Sequence, residues 1–433
     1  MSARHLPSVL LLALLPILNA CGAGEDGAPA ELRASPDGTA SAGALLPQAR
    51  ALQERIITID THDDIPFDFA SDSVNPCNRL ERQVDVPKMK EGGLDVGFFV
   101  VYVGQAERTP RGYELAGEQA MTKFRAIHRM AEELCPDQIE LAYTPEDVER
   151  ITAAGKLAAA IGIENGFVIG KDLSLLETYS ELGANYVTLA HGGHNDIADS
   201  STPRENLGDG PSEHGGVSAF GEEVIREMNR LGIMVDVSHI SKEAALDAMR
   251  ISAAPVIASH SSTRALADVP RNMDDETLLA LRDDGGVVQI VALDGFVKVD
   301  AQEKTEAVQA LREEMGISGP GSFRDLPEER RAEYQRRMAE IDERWPGATV
   351  ADFVDHIDHA VELIGIDHVG ISSDFDGGGG VTGWDDASET ANVTAELLRR
   401  GYTEEEIAKL WGGNTLRVWA EAERVAREAA AGA

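Results

Sequence analysis

Positive charge is what this 433-residue chain most lacks: 39 Lys and Arg stand against 75 Asp and Glu, a formal net charge of −36. Binding to phosphate backbones needs a basic footprint, so no nucleic-acid partner is expected. Cysteine is scarce, with three in all. None sits in a CxxC or similar spacing, so a thiolate-held metal is not expected either. Long apolar runs are also missing. The longest candidate, residues 6–18 in "LPSVLLLALLPIL", is too short to cross a bilayer and has the length of a signal-peptide core. No internal repeat breaks the surface monotony of the chain beyond an alternation of strand-like and helix-like segments.

The N-terminus reads as a separate object. Arg4 precedes the apolar run, and the run ends in "LNAC", residues 18–21, which resembles a bacterial lipobox. That resemblance implies a lipoprotein signal peptide over residues 1–20, cleavage before Cys21 and lipid attachment to its sulfur. The expected location is then the bacterial cell envelope after export, anchored by lipid, with Gly22 after Cys21 leaning towards the outer membrane. Residues 21–48 are rich in Gly, Ala, Ser and Pro and read as a flexible tether. Cys77 and Cys135 remain; one disulfide or two separate thiols are both open.

From about residue 55 onward, β-branched and apolar runs alternate with segments of helical period. The expected strands are 56–60, 96–103, 157–163, 186–190, 234–237, 256–259, 287–292 and 369–373. Helices lie between them, such as 220–231, stopped by Gly232, and 242–250, capped by Ser241. Eight such units predict an α/β fold, a (β/α)8 TIM barrel, over residues 49–424. Residues 425–433 read as a C-terminal tail. A charged helical insertion over about 297–346, containing "EERRAEYQRRMAEIDERW", interrupts the rhythm after the seventh strand.

Active sites of this fold collect at the C-terminal ends of the strands. "TIDTHDD" puts His62 and Asp64 at the end of the first run. Glu164 ends the third, His191 the fourth, His239 the fifth, His260 the sixth and Asp374 the eighth. Only 11 His occur in the chain, and four of them follow expected strands. Any one is unremarkable as a structural residue; together and in register they predict a metal site. Imidazole and carboxylate donors suit zinc, and neither a thiolate set nor an all-oxygen cage is present. The set is too large for one four-coordinate ion with an open position. It predicts two Zn²⁺ per chain, bridged by Glu164 and by a hydroxide that acts as nucleophile.

These motifs resemble the membrane (renal-type) dipeptidases, binuclear zinc peptidases of the amidohydrolase-like barrel group. The likeness runs over residues 55–419 through "IDTHDDIP", "GIENG", "YVTLAH", "DVSHIS", "SHSSTRALADVPRNMDD", "VGISSDFDG" and "LWGGNTLRV". It implies that His62 and Asp64 bind the first zinc, Glu164 bridges, and His239 and His260 bind the second. It implies that Asp374 moves the proton, with Asp376 as the nearest competitor. His191 would hold the substrate and its oxyanion, and Arg271 the substrate's free carboxylate, with Arg264 as the alternative. The implied substrates are dipeptides, including those with a C-terminal D-residue. His194 stands where the family usually has Asn, and reads as a rim or supporting residue. His356, His359 and His368 read as structural. Asp63 points away from its two neighbours and reads as a supporting or surface residue. A related barrel deacetylase or lactonase, β-lactam opening, and a non-catalytic peptide-binding lipoprotein are the competing readings. The oligomeric state is open, a homodimer included.

Overall fold

The structure is a computed structural model that describes residues 41–317 and 326–432. The signal peptide, Cys21 and the tether up to residue 40 lie outside the described residues. The tether is shorter than expected, because a helix, Ala42–Gln53, begins within it. Ala49 and Leu52 give that helix a buried face, which packs on the helix Ala391–Arg399.

Eight parallel strands form the barrel: β1 (Ile59–Asp64), β2 (Val96–Tyr102), β3 (Leu157–Glu164), β4 (Ala184–Thr188), β5 (Met234–Asp236), β6 (Ile257–Ala258), β7 (Val287–Val291) and β8 (Val369–Ser372). Each pairs with the next in chain order. The seam between β8 and β1 is closed by the Asp64 N–H, which donates to Phe375 O at 2.8 Å. A three-residue strand, Ile139–Leu141, pairs with β3 outside the barrel. It is too short to carry a readable period.

Two strands are displaced from expectation: β4 starts and ends two residues early, leaving His191 in the loop after Thr188, and β1 departs furthest. β1 starts three residues later and runs through His62 and Asp64 instead of stopping before them. Ile59 to Asp63 are all buried. The polar residues that suggested a strand end are therefore strand residues, tolerated because the barrel gives them partners inside.

Barrel-lining residues include Phe98 and Tyr186, and the helix Asn414–Gly432 sets Trp419 against Phe98 with ring centroids 5.6 Å apart. That helix runs through the segment read as a tail. The helices Ala219–Leu231 and Lys242–Ile251 are capped by Ser218 and Ser241, whose side chains accept from Gly221 and Ala244 N–H. The insertion after β7 forms two helices, Gln302–Glu314 and Glu328–Arg344, with their own small cluster of Leu311, Met315 and Ile317. Cys77 and Cys135 are disulfide-bonded, with Cα atoms 5.9 Å apart. The bond ties the β1–β2 loop to the segment that follows the helix Pro110–Arg129. No described helix is long and apolar enough to cross a membrane.

Candidate active site

At the C-terminal mouth of the barrel, side chains from six strand ends converge on Glu164. Its Oε1 lies 2.9 Å from His239 Nε2, 3.4 Å from His260 Nε2 and 3.4 Å from His191 Nε2. Its Oε2 lies 3.6 Å from His62 Nε2. On the other side of His62, Asp64 Oδ2 is at 3.8 Å and Asp374 Oδ1 at 3.9 Å. Three overlapping groups could each hold an ion: His62–Glu164–His260, Glu164–His191–His239 and His62–Asp64–Asp374. Two of these side chains sit on unusual backbone. His239 and Asp374 have φ of 67° and 60°, a region non-glycine residues enter at some conformational cost.

The surroundings aim the imidazoles inward. Tyr186 OH donates to Thr61 O at 3.0 Å, so it accepts from His62 Nδ1–H at 2.9 Å. His62 Nε2 then keeps its lone pair, and it is buried without a hydrogen-bond partner. Ser259 Oγ donates to Asp236 Oδ2 at 2.7 Å and accepts from His260 Nδ1–H at 2.8 Å. His260 Nε2 therefore also offers a lone pair, 2.7 Å from His239 Nε2. Such outer partners fix the tautomer of metal-binding histidines. Inward-facing lone pairs and carboxylates, with no cation of the chain between them, fit a metal better than they fit one another.

Charge follows the same logic. Burial would raise Glu164, but the neighbouring histidines outweigh it and hold the carboxyl well below its usual range. Burial pushes Asp374 well above its usual range, and Asp64 and Glu164 add to the shift. Burial opposes protonation of His62, yet Glu164, Asp374 and Asp64 overcome it and raise the imidazole to about 9. Those are the charges that a bound cation would neutralise. His191 is pushed down to about 4, by burial first and then by Arg271 and Arg204.

The model of the membrane dipeptidase family, peptidase family M19, matches residues 46–432. The chain belongs to this family. It is 33% identical over 366 residues to dipeptidase tcpJ of Claviceps purpurea (strain 20.1), covering 83% of this chain and 74% of that one. The crystal structure of the probable dipeptidase PvdM from Pseudomonas aeruginosa superposes with a TM-score of 0.78 at 35% identity, covering 88% of this chain and 99% of that one. A metallopeptidase from Rhodobacter sphaeroides shares the fold at 23% identity, with a TM-score of 0.66 and coverage of 85% and 99%. The chain is thus a metal-dependent hydrolase of peptide bonds, a metallo-dipeptidase.

Within the dipeptidase fold, every candidate site residue except Cys21 lies among the described residues. His62, Asp64, Glu164, His191, His239, His260 and Asp374 come together as stated. Arg271 is buried beside them: its Nη2 donates to His260 O at 3.0 Å, its guanidinium lies 5.2 Å from the Phe296 ring centre, and its Nε has no partner. Arg264, the alternative, is already paired with Asp268 at 2.9 Å. Asp376 turns to the β1–β2 loop, accepting from Gln83 N–H at 3.2 Å. His194 is a buried clamp: Nδ1 accepts from Ser200 N–H at 2.9 Å and Nε2–H donates to Gly210 O at 2.9 Å. His356, His359 and His368 are likewise held by protein partners away from the cluster. Asp63 is fully buried, so the surface option for it is wrong; its carboxylate fits under Gly97, the only residue type that leaves room there.

Sequence reasoning missed several members of the site. Asp236 was signalled only as an acid inside an apolar strand. Lys123 comes from the helix Pro110–Arg129 and is buried with Nζ 4.0 Å from Asp64 Oδ1. Tyr102, the last residue of β2, has its ring 4.7 Å from that of His191. Arg204 lies against the Tyr102 hydroxyl and over the Gly192 backbone.

Proposed function

We propose that this chain cleaves dipeptides with two zinc ions, held by His62 and Asp64 on one side and His239 and His260 on the other, with Glu164 between them. The observation that carries this reading is the convergence of His62, His239 and His260 on Glu164, with Asp64 beside His62 and the donor atoms facing inward. Zinc, when bound, supplies an activated water and polarises the scissile carbonyl. Everything else falls to the chain's own residues. Asp374, whose burial makes its carboxylate more basic than usual, takes the proton from the nucleophile in its ionised form and returns it to the departing amine. His191, neutral at physiological pH by its lowered pKa, steadies the carbonyl oxygen as negative charge develops there. Arg271 receives the free carboxylate of the second residue. Its unpartnered Nε and its burial suit that task, because a desolvated guanidinium binds a carboxylate strongly and directionally.

Dipeptides with a C-terminal D-residue belong to the proposed range; the Rhodobacter relative was crystallised with a phosphinate mimic of L-Ala-D-Ala. The Cys77–Cys135 disulfide supports export to an oxidising compartment, and "LNAC" supports a lipid anchor at Cys21 in the bacterial envelope. The decisive experiment is a panel of dipeptides with zinc-loaded protein, with and without EDTA. Cleavage that EDTA abolishes and zinc restores is the expected result; no cleavage of any dipeptide would overturn the reading. Membrane release by Cys21→Ser tests the anchor separately.

A further inference from the structure

Two cations at the mouth, Lys123 and Arg204, have no place in the chemistry just described. Lys123 Nζ is buried between two rings, 5.3 Å from the centre of Phe67 and 5.4 Å from that of Tyr102. The one carboxylate within 4.0 Å of it among the described residues is Asp64, with Glu164 further off. Asp64 is itself committed to the cluster through its other oxygen. Arg204 has no carboxylate partner for its guanidinium among the described residues; Asp209 is reached by its backbone N–H, which donates at 2.8 Å. The guanidinium is held by the Tyr102 hydroxyl and stacks on the Gly192 peptide, where even a Cβ on residue 192 would come within 2.9 Å of Nη2. Tyr102 therefore stands between the two cations, with its ring against His191.

Topology places this wall opposite the carboxylate clamp. Tyr102 ends β2, while Arg271 is fixed to the backbone of His260, just after β6. In a closed barrel of eight strands in sequential order, the second and the sixth face each other across the axis. A dipeptide whose terminal carboxylate reaches Arg271, with its peptide carbonyl over Glu164, must direct its first residue towards Tyr102.

We propose that Lys123, Tyr102 and Arg204 form a specificity subsite for an acidic side chain, Asp or Glu, on the first residue of the dipeptide. This rests on the dipeptidase reading above and names its substrate class. A neutral side chain would leave both cations facing an uncharged surface in a partly desolvated mouth. A carboxylate would accept from the Arg204 fork and offset the charge of Lys123, while the rings of Phe67 and Tyr102 would cover its methylenes.

The test compares kcat/KM of the zinc-loaded enzyme for Asp-Ala and Glu-Ala against Ala-Ala and Lys-Ala. The acidic substrates should lead by about tenfold or more, the scale of one charge-assisted hydrogen bond. Arg204→Gln and Lys123→Met should each lower the acidic-to-neutral ratio several-fold, whatever happens to the absolute rates. Arg204→Lys should keep part of the ratio. Arg204→Glu should turn the preference towards Lys-Ala, a gain that misfolding cannot mimic. If the four dipeptides are cleaved alike, or the ratio survives both Arg204→Gln and Lys123→Met, the subsite is wrong while the dipeptidase reading stands. If none is cleaved, both fall.

Discussion

Asp374 and Arg271 are both buried ionisable residues beside the cluster, yet burial acts on them in opposite ways. It raises the proton affinity of the acid, whereas the base, though pushed down to about 10, stays charged at neutral pH. Asp374→Asn should lower kcat by about 10²–10⁴-fold, the scale of a lost general acid or base, while elemental analysis shows metal retained. Near-normal turnover would move the role elsewhere. Arg271→Ala should cost a dipeptide about 2–5 kcal/mol of kcat/KM, because one partner of a desolvated ion pair is removed. A C-terminally amidated dipeptide should be affected far less, and equal losses on the two substrates would make Arg271 structural. At this scale the sequence was legible where one residue announced its place. His62, Glu164, His239, His260 and Asp374 end apolar runs, and a run ending in a ligand is visible locally. Lys123 and Arg204 were not visible, because one lies on an ordinary amphipathic helix and the other in a loop. Only the fold brings them to Tyr102. His194 read as a rim or supporting residue, and it is a supporting one, because its partners, Ser200 and Gly210, lie in the loop beyond.

Strands and their contacts decide how firmly the cluster is aimed. Gly162 of β3 leaves the space that the Tyr186 ring fills, and any Cβ there would overlap that ring. Gly162→Ala should therefore destabilise the fold by about 1–3 kcal/mol, the range for overpacking. It should also weaken zinc binding, because Tyr186 orients His62; a melting curve and a chelator competition read the two effects. At the opposite end of the barrel, Asp95 accepts from Thr58 N–H at 3.0 Å, linking the entries to β1 and β2. Burial raises its pKa to about 6 from 3.8. The folded state thus binds more protons than the unfolded one between those values, so this contribution to stability is lost as pH rises towards 6. Asp95→Asn should raise the urea midpoint at pH 7.5, by about 1–2 kcal/mol in stability, and the gain should shrink as pH falls to 4.5. Element positions were legible to within a few residues, since β-branched runs and serine caps are local signals. The end of β1 was not, because polarity was taken to end a strand that in fact carries its polar residues inward.

The molecule as a whole couples metal to fold. Six ends of a closed barrel supply the cluster, so ions that bind only the folded chain should stabilise it by mass action. Stripping with a chelator should lower Tm and abolish activity, and zinc should restore both at close to two equivalents per chain. Full activity with one equivalent would end the two-ion proposal. The barrel class itself was legible from eight alternating units, and the insertion from its charge. The pairing of Cys77 with Cys135 needed three-dimensional structure, since spacing alone does not choose between bonded and separate thiols. The closing seam of the barrel has one more implication. β1 brings His62 and Asp64, and it is completed only by Phe375, more than three hundred residues later in the chain. A chain emerging from its N-terminus therefore holds the first ligands long before the surface that frames them exists. Contacts so distant in sequence form slowly. A site framed by both partners of the seam is complete only once the seam has closed, so the metal the enzyme acquires depends on which ions surround the chain at that step.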